Sequence, residues 1–160
     1  MSKIKSKIFG VGNKSFHQYI ISDLVYGARK YLAKKRLSKK YMALSEITLS
    51  QIGYETTPSH FSRDFNIDFV VIKQETTDLI VLIEIERVNI NITATKQKIK
   101  ECLQAIPSIE DAFIIYFDMN GKTYFERCLL ENEVFVCKPV KIVKTTLGIP
   151  IKASLISVER

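Results

Sequence analysis

Two apolar runs, IDFVVI at residues 67–72 and LIVLIEIERV at 79–88, flank the polar segment KQETTD at 73–78, and this pattern predicts a β-hairpin. The second run opens on five consecutive apolar residues, Leu79 to Ile83, with no polar alternation. Such a strand is covered on both faces and lies in the middle of its sheet. Upstream, Phe16, Tyr19, Ile20, Leu24, Tyr26, Ala28, Tyr31 and Leu32 recur mostly at three- and four-residue steps, which predicts a helix over about 15–37 with Ser15 as its N-cap. Residues 45–52 alternate, Ile47 and Leu49 sharing a face, as a half-exposed or edge strand does. A loop rich in Thr, Ser, Pro and His at 53–64 leads into the hairpin.

Downstream of the hairpin, Thr93 or Thr95 is placed to cap a helix that runs to about Ile106, with Ile99, Cys102, Leu103 and Ile106 as its apolar stripe and Pro107 as its stop. AFIIYF at 112–117 reads as another buried strand. Asn120-Gly121 turns the chain into a strand at 122–128, and 133–137 reads as a further short one. A helix between two strands of one sheet implies a crossover, so strand 112–117 is expected to run parallel to strand 79–87. The sum is an α/β fold with a mixed central sheet and flanking helices, in the order α-β-β-β-α-β. It occupies residues 15–160 as one domain, behind a basic N-terminal arm at 1–14; the tail beyond Lys138 shows no clear pattern.

Charges in so apolar a hairpin call for a reason. Successive strand residues alternate faces, so Glu84 and Glu86 project from one face and Ile85 and Arg87 from the other. The hairpin brings Asp68 across from the Glu84 end, so three acids converge. Carboxylates that close repel, and a proton or a cation normally shares their site. Hard oxygen ligands suit Mg²⁺ or Mn²⁺. The competing reading is an ordinary strand end emerging into solvent, its acids paired with Arg63, Arg87 or a lysine. Of the two histidines, His17 and His60, neither has a second histidine at ligand spacing, and each reads as an ordinary surface or packing residue; His60 is the one for which a role near the acids is considered.

Asp68, a turn, an apolar strand ending in Glu84-Ile85-Glu86, a helix and another apolar strand together resemble the PD-(D/E)xK nuclease superfamily, whose fold is restriction-endonuclease-like. Within it, IDFVV at 67–71, LIEIER at 82–87 and NINIT at 89–93 are similar to the nuclease-type domain at the N-terminus of type I restriction motor subunits. The likeness spans about residues 46–127 and rests on short motifs. It implies a nuclease in which Asp68, Glu84 and Glu86 hold Mg²⁺ or Mn²⁺. Two positions depart from the family pattern: Ile67 stands where proline is usual, and Glu86 stands where a lysine orients the attacking water. A minority of restriction endonucleases also carry Glu-x-Glu. In other members the lysine has moved to the following helix, where this chain has Lys96, Lys98 and Lys100, so Lys96 and Lys98 join the acids as candidate catalytic residues.

Composition narrows the partners. Twenty-four basic against 17 acidic residues leave a net charge of +7, which favours an anionic partner such as nucleic acid, though a basic surface also occurs without one; DNA in particular is what the resemblance implies. The most basic stretch is Arg29, Lys30, Lys34, Lys35 and Arg36, continued by Lys39 and Lys40; it suits either phosphate contacts or a solvated helix end. Three cysteines without metal-ligand spacing fit free thiols in a reducing cytoplasm. No apolar run reaches the length of a membrane span, and no signal-peptide core follows the N-terminus. The expectation is thus a cytoplasmic metal-dependent DNA phosphodiesterase, completed by a homodimer or a partner subunit. The alternative is a catalytically inactive module of the same fold that binds nucleic acid or protein.

Overall fold

The computed structural model describes residues 13–141 and 144–151. They form α1 (Asn13–Lys34), β1 (Tyr41–Thr48), β2 (Asn66–Lys73), β3 (Leu79–Arg87), α2 (Thr93–Ala105), β4 (Asp111–Phe117), β5 (Thr123–Glu131) and β6 (Val134–Val140). The strands make one six-stranded sheet in the order β1-β2-β3-β4-β5-β6. Neighbours are antiparallel except β3 and β4, which run parallel with Glu84 beside Ile114, as a helical crossover requires. The expected mixed α/β sheet and its order of elements are therefore present. Of the arm expected at residues 1–14, Asn13 and Lys14 belong to α1 and the rest lies outside the described residues, as does Lys152 in the tail.

Each sheet face buries its own apolar set. On one, Phe16, Ile20, Leu24, Ala28 and Leu32 of α1 pack over Phe69, Val71, Val81, Ile83, Ile85, Phe113 and Ile115. On the other, Ile99, Cys102 and Ile106 of the α2 segment pack with Leu49, Ile52, Phe61 and Phe65 over Val70, Leu82, Ala112 and Ile114. β3 lies between these layers with its first seven residues buried, as its unbroken apolar run predicts. No helix among the described residues is long and apolar enough to cross a membrane.

The boundaries move for local reasons. β1 starts four residues before the expected 45 and ends at Thr48, because the chain turns at Ser50–Ile52 into a 3-10 helix that buries Leu49 and Ile52. Past Thr48 the Leu49 N–H still donates to Phe65 O, while Gln51 Oε1 accepts the Thr48 N–H and Asp64 Oδ1 accepts the Ser50 N–H, so side chains take over as the strand ends. Ser15 is the third residue of α1 rather than its cap. Neither Thr93 nor Thr95 caps α2: the N-cap is Ile92, Asn91 Oδ1 accepts the Thr93 N–H, and Thr95 is used elsewhere.

α1 ends in a Schellman motif: the Leu37 N–H donates to Leu32 O, the Arg36 N–H donates to Ala33 O, and Arg36 takes a left-handed φ of 58°. A residue with a Cβ pays for that conformation, whereas glycine does not. Arg36→Gly is expected to raise the unfolding free energy by about 0.5–1 kcal/mol, read as a higher denaturant midpoint at unchanged m-value.

Candidate active site

The last rung joining β2 and β3 at their open end is Phe69 opposite Ile83; beyond it the strands part. Carboxylates occupy the gap where main-chain partners are lost. The Asp68 N–H donates to Glu84 Oε2 at 2.8 Å, and the Ile85 N–H donates to Asp68 Oδ2 at 2.8 Å. Each acid thus satisfies an amide that the ladder would otherwise have bonded. From α2, Lys98 Nζ donates to Glu84 Oε1 and, at 2.6 Å, to Asn66 O. From α1, His17 Nε2 lies 3.3 Å from Asp68 Oδ2. Glu86 shares the Glu84 side of β3, where its Oε1 accepts the Thr95 hydroxyl at 2.6 Å.

His17, Asp68, Glu84, Glu86 and Lys98 line an open cleft of about 420 Å³, with Ile90 and Phe117 on its apolar side. Glu84 is 2 % exposed. Burial and then the Asp68 charge push its carboxyl up to about 7, against the opposing pull of Lys98 and the Asp68 N–H. The hydrogen bond to Asp68 raises His17 above its ordinary value; burial opposes this, and the charges of Asp68, Glu86 and Glu84 reinforce it. The cleft therefore favours added positive charge, whether a proton or a cation.

Among the described residues no group of three His, Cys, Asp or Glu side chains is arranged to hold a metal ion. Asp68 and Glu84 adjoin, while Glu86 stays tied to α2. A pair of carboxylates nevertheless fits Mg²⁺, which is usually bound by one or two carboxylates and keeps several of its waters. The donor set is oxygen only, with Lys98 on Glu84 and His17 on Asp68 beside it.

Of the two candidate lysines the structure brings in Lys98. The Lys96 charge is felt instead at Cys128 of β5 and Cys137 of β6. Arg63 stacks over the Phe65 ring and pairs with neither acid. His60 is held within its own exposed loop by Thr57 and Ser59, and His17 is the histidine at the acids. Sequence reasoning also missed the bond from Thr95 to Glu86 and that from Lys98 to the Asn66 carbonyl.

The basic stretch is built differently from the acids. Arg29 donates from Nε and Nη2 to Ala43 O at 3.2 and 3.0 Å, clamping α1 to β1. Lys30 and Lys35 lie over the Tyr26 and Tyr31 rings, and Lys34, Arg36, Lys39 and Lys40 are exposed. At 1.5 Å per helical residue, Lys34 lies about 25 Å along α1 from His17, so this patch is at the opposite end of the molecule from the cleft. No protein-family model matches the chain, and no curated protein matches it.

Proposed function

We propose that the protein is a metal-dependent phosphodiesterase acting on DNA, with a restriction-endonuclease-like fold. The observation that carries this reading is the meeting of Asp68, Glu84 and Lys98 at the point where β2 and β3 part. The order α1-β1-β2-β3-α2-β4 with its one parallel pair supports the fold assignment.

Asp68 and Glu84 would hold the Mg²⁺. When bound, this ion supplies Lewis-acid polarisation of a phosphoryl oxygen and a water of lowered pKa. Lys98 takes the part of the lysine missing at Glu86, placing positive charge where the phosphorane develops negative charge. Glu86, oriented by Thr95, accepts a proton from the attacking water. His17, biased toward its protonated form by Asp68, offers a donor to the phosphate. The exposed cations at the far end of α1 would contact the duplex backbone about seven base steps away, at 3.4 Å per step.

The test is cleavage of supercoiled and single-stranded DNA in Mg²⁺ or Mn²⁺ by the wild type, Asp68→Asn and Glu84→Gln, each checked for folding by circular dichroism. Loss of at least roughly a hundredfold in both variants is expected, since metal-assisted stabilisation is worth several kcal/mol. Salt-sensitive DNA binding without cleavage in the wild type would instead assign the inactive binding module.

A further inference from the structure

β5 and β6 are joined by Asn132 and Glu133, both at positive φ (50° and 68°), the conformation of a type I′ turn closing on the Glu131–Val134 pair. The closing pair of such a hairpin exchanges its main-chain hydrogen bonds, and bonded and non-bonded pairs alternate from there. By that alternation Leu130–Phe135 is non-bonded, Leu129–Val136 bonded and Cys128–Cys137 non-bonded. Pro139 gives an independent check. It pairs with Glu126, a non-bonded position on the edge strand, where a residue lacking an N–H costs no rung.

Directly opposed residues share a sheet face, and non-bonded pairs are the closer kind, with Cα atoms about 4.5 Å apart. That separation lies within the range of about 4.4–6.8 Å that a disulfide spans. Both residues are free thiols, Cys128 buried and Cys137 partly exposed. We propose that Cys128 and Cys137 are a reversible disulfide-forming site, oxidised by a peroxide and reduced by a thiol.

The environment sets the order of events. Burial pushes both thiols up and the Lys96 ammonium lowers both, but their mutual hydrogen bond raises Cys128 and lowers Cys137. Cys137 is thus the sulfur that ionises first and is the more accessible to an oxidant. Its thiolate attacks hydrogen peroxide, breaking the O–O bond to give the sulfenic acid; the departing hydroxide takes up the thiol proton and leaves as water. Cys128 sulfur then attacks the sulfenic sulfur, and the Cys128 proton leaves with the hydroxyl as a second water. Two thiols and one peroxide give one disulfide and two waters, with two electrons passing from sulfur to oxygen. A thiol reductant reverses the bond by exchange.

The experiment treats the full chain with hydrogen peroxide, alkylates it under denaturing conditions and counts thiols by intact mass and peptide mapping. The count is expected to fall from three to one, Cys102 remaining, with a peptide linking Cys128 to Cys137 that dithiothreitol restores. In Cys128→Ser, dimedone should trap a sulfenic acid on Cys137. Three thiols persisting at full peroxide exposure, a bridge to Cys102, or a bridge between chains would overturn the assignment. The wild-type count decides even if the variant does not fold.

Discussion

Replacing Lys98 by methionine is expected to lower Mg²⁺-dependent DNA cleavage by roughly 10²–10³-fold, the cost of removing one donor aimed at developing charge. Lys96→Met is expected to leave cleavage unchanged. The contrast follows from geometry: Lys98 reaches Glu84 and Asn66 O, whereas the field of Lys96 falls on Cys128 and Cys137. Methionine keeps the unbranched stem and removes the charge, so packing against α2 is largely preserved. Glu84 would lose its cation and remain 2 % exposed, and breaking such a pair costs about 3–5 kcal/mol when the remaining group stays charged. Near pH 5 the carboxyl can take up a proton instead, so the loss of stability should be clear at pH 8 and small at pH 5. Cleavage rates and urea midpoints at both pH values test the idea together. Equal losses in the two lysine variants would remove Lys98 from the reaction.

Stability of the wild type without metal is expected to fall as pH rises from 5 to 8. Folded Glu84 has its pKa raised from the ordinary 4.5 to about 7, so between those values the native state holds a proton that the unfolded chain has released. The native state therefore binds more protons, and unfolding free energy decreases with pH across that window, by on the order of 3 kcal/mol in total. His17 acts with the same sign. Its contribution is full below its unfolded value of 6.5 and is lost as pH rises through its raised folded value. Glu84→Gln should flatten the lower part of the profile, since the amide neither ionises nor needs a proton. Mg²⁺ should stabilise the wild type more at pH 8 than at pH 5, through preferential binding to the ionised native state. A wild-type profile that is flat, or that rises over this window, would contradict the account.

Both expectations rest on parts of the molecule that were legible in the sequence to different degrees. The central hairpin was readable because β3 is buried on both faces, and only a long unbroken apolar run satisfies that. The side-by-side placement of Glu84 and Glu86 followed from strand parity alone. The contact of Asp68 with Glu84 was anticipated from hairpin folding, but the way it is made was not. It depends on β2 and β3 parting after Phe69–Ile83, which no residue type announces. Lys96 and Lys98 looked alike because both flank the apolar stripe of α2; which one meets the acids is decided by how that helix lies on the sheet. His17 was invisible for a similar reason: its partner is 51 residues away in the chain, and only the packing of α1 brings it to Asp68. β1 was misplaced because the alternation at 45–52 continues past Thr48 into a turn whose hydrogen bonds come from Gln51 and Asp64.

Asp68 and Glu84 also act as fasteners, because the amides of Ile85 and Asp68 reach the neighbouring strand through its carboxylate oxygens. Whatever changes the charge on those oxygens, whether proton, cation or substrate phosphate, changes the strength with which the sheet is laced at that end. Occupancy of the cleft and local fraying of β2 from β3 are then a single thermodynamic variable. The solvent exchange of two amide hydrogens is a reading of it that needs no substrate.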